Sequence, residues 1–331
     1  MQLVYDFLMH PAFDTNAYNL TLQQLWANYQ IKMDRVKPQA ERLFYETLFG
    51  RHNPMASYEY PEHFSQLSVG ILRDYHEKCV NAANCRMFIT GGYNDEDVTL
   101  INDIFGTEHW GNCQSYLDIS PVEYPAHPLE QLQQQTDENV VIDRDRNIIK
   151  LIMKKPTVQS ALFAGCVMPK IEGEERAYLT LANMLFGGFF GSRLMANIRE
   201  DKGYTYGIHS LLQTQLFFNL FSIQTETANQ FINMVIEEVN MEINRIISIP
   251  PSNEELDIVK KYFSGNICRT YEANLSFTGL LIRKTALGDD YRDVIKSLEI
   301  IRKAEPHHIT DVMRRFLNPN SVVWCVAGAE S

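Results

Sequence analysis

The sequence predicts an α+β protein built as a duplicated, layered sandwich. Three observations carry this. Short apolar runs suited to strands (Gln159–Pro169, Leu216–Thr225, Val322–Ala327) are grouped among longer helical segments and do not alternate with them one for one. The stretch Asn84-Cys-Arg-Met-Phe-Ile-Thr-Gly-Gly92 is echoed by Asn320-Ser-Val-Val-Trp-Cys-Val-Ala-Gly328, which begins 236 positions later. Helical segments recur in the same order at the same spacing, which marks a repeat.

In chain order, the first half reads as a helix over Leu3–Met9, a break at His10-Pro11, and a long helix over Leu20–Val36. A helix through Phe44–Gly50 follows, then the turn Arg51-His52-Asn53-Pro54, a helix over Leu67–Val80 and the strand Asn84–Gly92. Shifted by the repeat distance, the opening helix matches Asn229–Ile247. Pro250-Pro251 then falls near the His10-Pro11 break, and Glu254–Glu272 matches Leu20–Val36. The first copy therefore covers residues 1–113 and the second 147–331. Residues 114–146 form a linker marked by Pro121, Pro125 and Pro128.

The second copy opens with strands at Ile148–Lys154 and Gln159–Pro169. A helix at Glu174–Phe186 and a short one at Ser192–Asp201 follow. The hairpin Thr205–Gln213 with Leu216–Thr225 comes next, and helices then run from Asn229 to Phe316. Ser252-Asn253-Glu254-Glu255 and Asp289-Asp290 signal helix starts. The first-copy equivalents of the opening strands fall before Met1, so the first domain is expected to be N-terminally incomplete. An exposed sheet edge, a swapped element or self-association is expected to follow.

Composition narrows the function. The 331 residues suit two domains, and 45% hydrophobic residues suit real cores. A net charge of −11 argues against nucleic acid as a partner. No apolar run has the length of a membrane span. The six cysteines contain no C-x-x-C pair, and Cys85, Cys166 and Cys325 sit in apolar runs. This predicts a reducing, cytoplasmic location without disulfides.

The segment Leu185–Tyr206 carries the most chemistry. It reads as the end of an apolar helix, a loop with Gly187, Gly188 and Gly191, a short helix, and a strand start. Arg199 and Tyr206 lie seven residues apart across a turn at Gly203. That spacing allows a guanidinium and a phenol to donate to one peptide carbonyl. The alternative reading is a capping glycine and a surface ion pair. Phe186, Phe189 and Phe190 read as core, with two of them, Phe189 included, candidates for lining a peptide cleft.

This glycine-Arg-Tyr pattern resembles the second-domain signature of the pitrilysin, or insulinase-type, zinc metallopeptidases. The resemblance implies two homologous layered α/β-sandwich domains of the pitrilysin-like fold. It also implies substrate-holding roles for Arg199, Tyr206, Gly187, Gly188, Gly191 and Phe189. In that family an H-x-x-E-H helix and a later Glu hold zinc. Neither H-x-x-E-H nor H-E-x-x-H occurs here. His76-Glu77 leads into Lys78-Cys79, His307 and His308 are adjacent, and the position of the later Glu falls on Gln30, with Asp34 the nearby acid.

The resemblance therefore implies a non-catalytic peptidase subunit with no metal ligands or catalytic residues of its own. Zinc is expected on a homologous catalytic partner or an upstream segment. The expected partners are peptide or unfolded polypeptide, a homologous catalytic subunit, or a second copy of the chain. Two other roles fit the same pattern: the later portion of a zinc endopeptidase, and a scaffold subunit with a vestigial site.

Overall fold

A computed structural model describes residues 1–106 and 139–329. They form two compact units. Unit 1 comprises the described residues of Met1–Ile31, Tyr58–Pro121 and Thr270–Ile282. Unit 2 comprises those of Lys32–Ser57, Val122–Arg269 and Arg283–Ser331.

Unit 2 is organised by one six-stranded sheet. Its strands are β1 (Val140–Asp143), β2 (Ile148–Ile152), β3 (Gln159–Pro169), β4 (Thr205–Thr214), β5 (Phe218–Ala228) and β6 (Val323–Gly328). Their spatial order is β1-β2-β6-β3-β5-β4. Only the β2–β6 pair is parallel; the other four pairs are antiparallel. The central strands β3 and β6 are nearly continuous apolar runs because both of their faces are covered. Strand β4 alternates buried and exposed residues, as an edge strand with one covered face should.

One sheet face carries the larger core. Helix α7 (Gly173–Asn183) packs there with α8 (Ile232–Ser248), α9 (Asn253–Glu272), α11 (Asp293–Arg302) and α12 (Pro306–Phe316). Helix α8 shows why it docks. Ile232, Val235, Ile236, Val239, Ile243 and Ile246 recur at helical spacing and are all buried. The opposite face is covered by α3 (Val36–Phe49), which buries Ala40, Leu43, Phe44, Leu48 and Phe49 against Phe163, Phe218, Leu220 and Cys325. A helix from the first half of the sequence thus completes the sheet's sandwich.

Unit 1 contains α1 (Gln2–Met9), α2 (Thr15–Met33) up to Ile31, α4 (Pro61–Gln66), α5 (Val69–Cys79) and α6 (Asp95–Phe105). The first part of α10 (Asn274–Ala286) joins them. Tyr29 and Phe64 both pack on Trp26, and Tyr18 donates to the Leu67 carbonyl at 2.9 Å. His76 Nε2 lies 2.7 Å from the Leu8 carbonyl oxygen at the end of α1.

Three elements differ from the sequence reading. The strand expected at Asn84–Gly92 forms no ladder, because unit 1 offers no neighbouring strand among its described residues. The stretch read as linker contributes β1 at its end, paired with β2. Helix α6 was not anticipated, although its start has a reciprocal cap: Asn94 accepts from the Asp97 backbone and Asp97 from that of Asn94. Residues 114–138 of the 114–146 stretch lie outside the described residues. The mixed α and β, layered class holds.

Candidate functional site

The glycine-rich segment is folded as two short π-helical stretches, Met184–Gly188 and Met195–Asp201, joined by a turn. Wide π-turns of this kind concentrate at functional sites. The first stretch lies along the outer edge of β4. Asn183 Oδ1 accepts from Ser210 Oγ at 2.8 Å, and the Ile208 N–H points at Met195 Sδ, 3.4 Å away. The edge of β4 at Ile208 and Ser210 is therefore plugged by the chain itself.

Gly187 makes this contact possible. A Cβ there would lie 2.7 Å from the Ser210 nitrogen and 2.6 Å from its Oγ. The sequence reading assigned Gly187, Gly188 and Gly191 both unusual backbone angles and close approach. None of the three has a positive φ; close approach is what they supply. Gly203 is the residue with left-handed backbone, at φ 66°, and it turns the chain from Asp201 towards β4.

Arg199 and Tyr206 stand on either side of that turn. The Arg199 Nε–H donates to the Tyr206 backbone carbonyl at 3.0 Å. Its guanidinium lies over the Phe190 ring, 4.6 Å from the centroid, and 3.6 Å from Glu200 Oε1. The Tyr206 side chain is 93% exposed and Phe190 is 61% exposed. Phe189 instead packs on Tyr262, with ring centroids 4.9 Å apart, and its ring sits where a Cβ on Gly191 would intrude. Phe186 is core. The aromatic under the guanidinium is thus Phe190, the neighbour of the residue singled out from sequence.

Tyr206 projects because it sits in a β-bulge. The β4–β5 register shifts between Thr205 and Ile208, so Tyr206 and Gly207 together stand opposite the single residue Glu226. Three threonines hold the bulge. Thr205 Oγ1 lies 2.8 Å from Thr225 Oγ1, Thr225 donates to the Gly207 carbonyl at 2.9 Å, and Thr227 donates to the Tyr204 carbonyl at 2.6 Å. Thr225 and Thr227 lie two apart on one strand, a spacing that places both on one face and that the sequence already displays.

The stretch bearing Arg199 is anchored from behind by α8. The Asn197 amide donates to Glu238 Oε2 and Glu242 Oε1, both at 3.1 Å, and Lys202 pairs with Glu238 at 3.0 Å. In front of it, Arg193 makes a two-pronged pair with Glu255, at 2.6 and 2.9 Å. Burial works to raise the Glu255 pKa, but the Arg193 hydrogen bond and charge overcome it and hold the carboxyl below its usual range. Asn197, Glu238 and Arg193 were not identified from sequence, since nothing in the linear pattern links residues more than 40 positions apart.

No three His, Cys, Asp or Glu side chains converge into a possible metal site among the described residues. The buried thiols are not nucleophiles either. Burial pushes Cys166 up to about 11 and Cys325 up to about 12, so both stay protonated. Among the described residues no helix is long and apolar enough to cross a membrane.

The family model described as "Peptidase M16 inactive domain" matches residues 66–263, a span that holds the whole site. The chain belongs to this family. The pitrilysin-like resemblance of Gly187–Tyr206 is thereby placed in a peptidase family. Among curated relatives, the uncharacterized zinc protease YmxG of Bacillus subtilis is 21% identical over 281 residues. The match covers 83% of this chain and 62% of that protein, so the chain spans about three fifths of its relative's length. Among solved structures, a peptidase M16 inactive domain from Pseudomonas fluorescens superposes with a TM-score of 0.81 at 19% identity. That match covers 99% of this chain and 74% of the other. A protease from Helicobacter pylori also reaches a TM-score of 0.81, at 11% identity, covering 99% and 75%. At these identities the structural matches speak for the fold.

Proposed function

We propose that this M16 inactive-type chain binds peptide for a zinc-bearing catalytic partner. The observation that carries the reading is the Arg199–Tyr206 pair on its bulge. A guanidinium tethered to the Tyr206 backbone lies over Phe190, beside a residue whose phenol is exposed. In this reading Nε is committed to the backbone, and the remaining guanidinium N–H groups and the Tyr206 hydroxyl donate to a peptide carbonyl. The aromatic faces of Phe190 and Tyr206 provide apolar contact for a flanking side chain. Gly187, Gly188 and Gly191 let the supporting chain pack closely enough to hold this geometry. Bond cleavage belongs to the partner, and this chain contributes positioning and carbonyl stabilisation.

The test is peptide hydrolysis by this chain mixed with a zinc-bearing M16 partner. Arg199→Ala and Tyr206→Phe are expected to lower the rate of the pair by about a hundredfold each, the usual cost of one transition-state donor. Circular dichroism should show both variants folded. Wild-type rates from both would reduce these residues to a structural role.

A further inference from the structure

Two consecutive aromatic residues in the glycine-rich turn have different ring partners. Phe189 has extended backbone, with φ −151° and ψ 172°. Its ring packs on Tyr262 of α9, with centroids 4.9 Å apart and ring planes inclined at 33°. Phe190 instead lies under the Arg199 guanidinium, 4.6 Å from centroid to carbon. The Ser192 N–H donates to the Phe189 carbonyl at 3.1 Å and closes a turn, with Phe190 and Gly191 at its centre. Gly191 leaves room for the first ring, since a Cβ there would lie 2.9 Å from Phe189 Cε2.

Helix α9 grips this turn at both ends. Tyr262 holds its entry through Phe189, and Glu255 holds its exit through Arg193. Glu255 and Tyr262 are two helical turns apart, so they share one face of α9. Val259 lies between them and is buried, so that face is turned to the core. The two grips differ in kind. The ion pair fixes the start of the stretch that leads to Arg199. The ring contact fixes the side of the turn from which Phe190 departs. Phe190 is too exposed for its own burial to hold it, so its position is inherited from the turn. The Tyr262 hydroxyl has no hydrogen-bond partner among the described residues, so the contact with Phe189 belongs to the ring.

We propose that Tyr262 is a positioning residue of the peptide site. Its ring holds Phe189, the closed turn carries that order to Phe190, and Phe190 supports the guanidinium whose Nε–H is tied to the Tyr206 carbonyl. A guanidinium that is backed by a ring and tied at Nε has less freedom to lose when a peptide carbonyl arrives. Stacked and tilted aromatic pairs suit this task because their attraction depends on ring geometry as well as on buried area. Tyr262 therefore acts through Phe189 and Phe190 and makes no contact with peptide itself. This inference rests on the Arg199–Tyr206 reading, and the test separates the two.

The experiment takes two readings on the full chain. One is hydrogen exchange at the Arg199 Nε–H by NMR with isotope-labelled arginine, the signal being assigned by its absence in Arg199→Lys. The other is fluorescence anisotropy with a labelled unstructured peptide. Tyr262→Ala should speed the exchange and weaken the binding, each by about fivefold or more. Tyr262→Leu keeps apolar bulk without the ring and should behave as Tyr262→Ala does. Tyr262→Phe keeps the ring and should restore both readings. In a Phe190→Ala background, Tyr262→Ala should add less than about twofold, because the link is already cut. Wild-type binding by Tyr262→Ala and Tyr262→Leu would overturn the positioning role and leave the peptide reading standing. An equal loss in both backgrounds would also overturn it, since Tyr262 would then act without Phe190. No binding by wild type would overturn the peptide reading and, with it, this inference.

Discussion

Arg199 is fastened to the backbone of the residue whose side chain it accompanies: its Nε–H donates to the Tyr206 carbonyl at 3.0 Å. One planar group therefore holds the carbonyl and lies over Phe190 at once. Lysine keeps the charge but lacks this planar fork. Arg199→Lys is expected to weaken peptide binding about as much as Arg199→Ala, by at least about tenfold, or ~1.4 kcal/mol. Fluorescence anisotropy with a labelled unstructured peptide checks it. Full binding by the lysine variant would mean that charge alone suffices.

Gly187 is expected to tolerate no side chain. Its Cβ would press on the Ser210 backbone nitrogen, which the β-sheet holds in place. Gly187→Ala should destabilise the chain by about 1–3 kcal/mol in urea denaturation, the usual cost of overpacking. Gly265 is the control. It lies inside α9 with nothing within 4 Å of a built Cβ. Gly265→Ala should stabilise by up to about 1 kcal/mol. Equal effects of the two would mean that the close approach at Ser210 does not matter.

The Arg193–Glu255 pair gives stability a dependence on acid pH. Glu255 has its folded pKa held below the usual 4.5. Its contribution is therefore complete above the unfolded value and is lost as pH falls through the folded one. The Glu255→Gln variant should be less stable than wild type at pH 7 by about 2 kcal/mol. That is less than a fully buried pair would cost, since a third of the Glu255 side chain is open. The gap should close as pH is lowered below about 4. A gap constant down to pH 3 would remove the ion pair from the account.

Asn197 is expected to be intolerant of a carboxylate in a pH-dependent way. Its amide donates to two glutamates at once, so Asn197→Asp would set three carboxylates against one another. Repulsion raises their folded pKa values, so the cost is full at pH 8 and shrinks as they take up protons towards pH 5. Urea denaturation of the variant against wild type should show a penalty of about 2 kcal/mol at pH 8 and less than half of it at pH 5. The same penalty at both pH values would show that Asn197 acts through packing alone.

Much of unit 2 was legible from its sequence because its local and global signals agree. Gln159–Pro169 and Pro306–Phe316 read from sequence with the ends they have in the fold. The glycine-Arg-Tyr spacing marks the stretch where Arg199 meets the Tyr206 backbone across the Gly203 turn. Other features had no local signal. The π-turns share their composition with α-helix, so Glu174–Phe186 read as one helix where the chain has α7 followed by a π-turn. The bulge at Tyr206 shows only as a register shift against β5. Helix α3 reads as part of the first half, and its place on the unit 2 sheet depends on contacts far along the chain, such as Phe44 with Phe163. The Asn84–Gly92 strand failed for the converse reason. Strand propensity is present, and among the described residues of unit 1 a pairing strand is not.

The most direct test of the central claim is a titration of the purified chain into a labelled unstructured peptide, for wild type, Arg199→Ala and Tyr206→Ala. Saturable binding by wild type that both substitutions weaken by about tenfold or more, with melting temperatures unchanged, is the predicted result. No binding by wild type, or equal binding by all three, would contradict a peptide-holding role for this site.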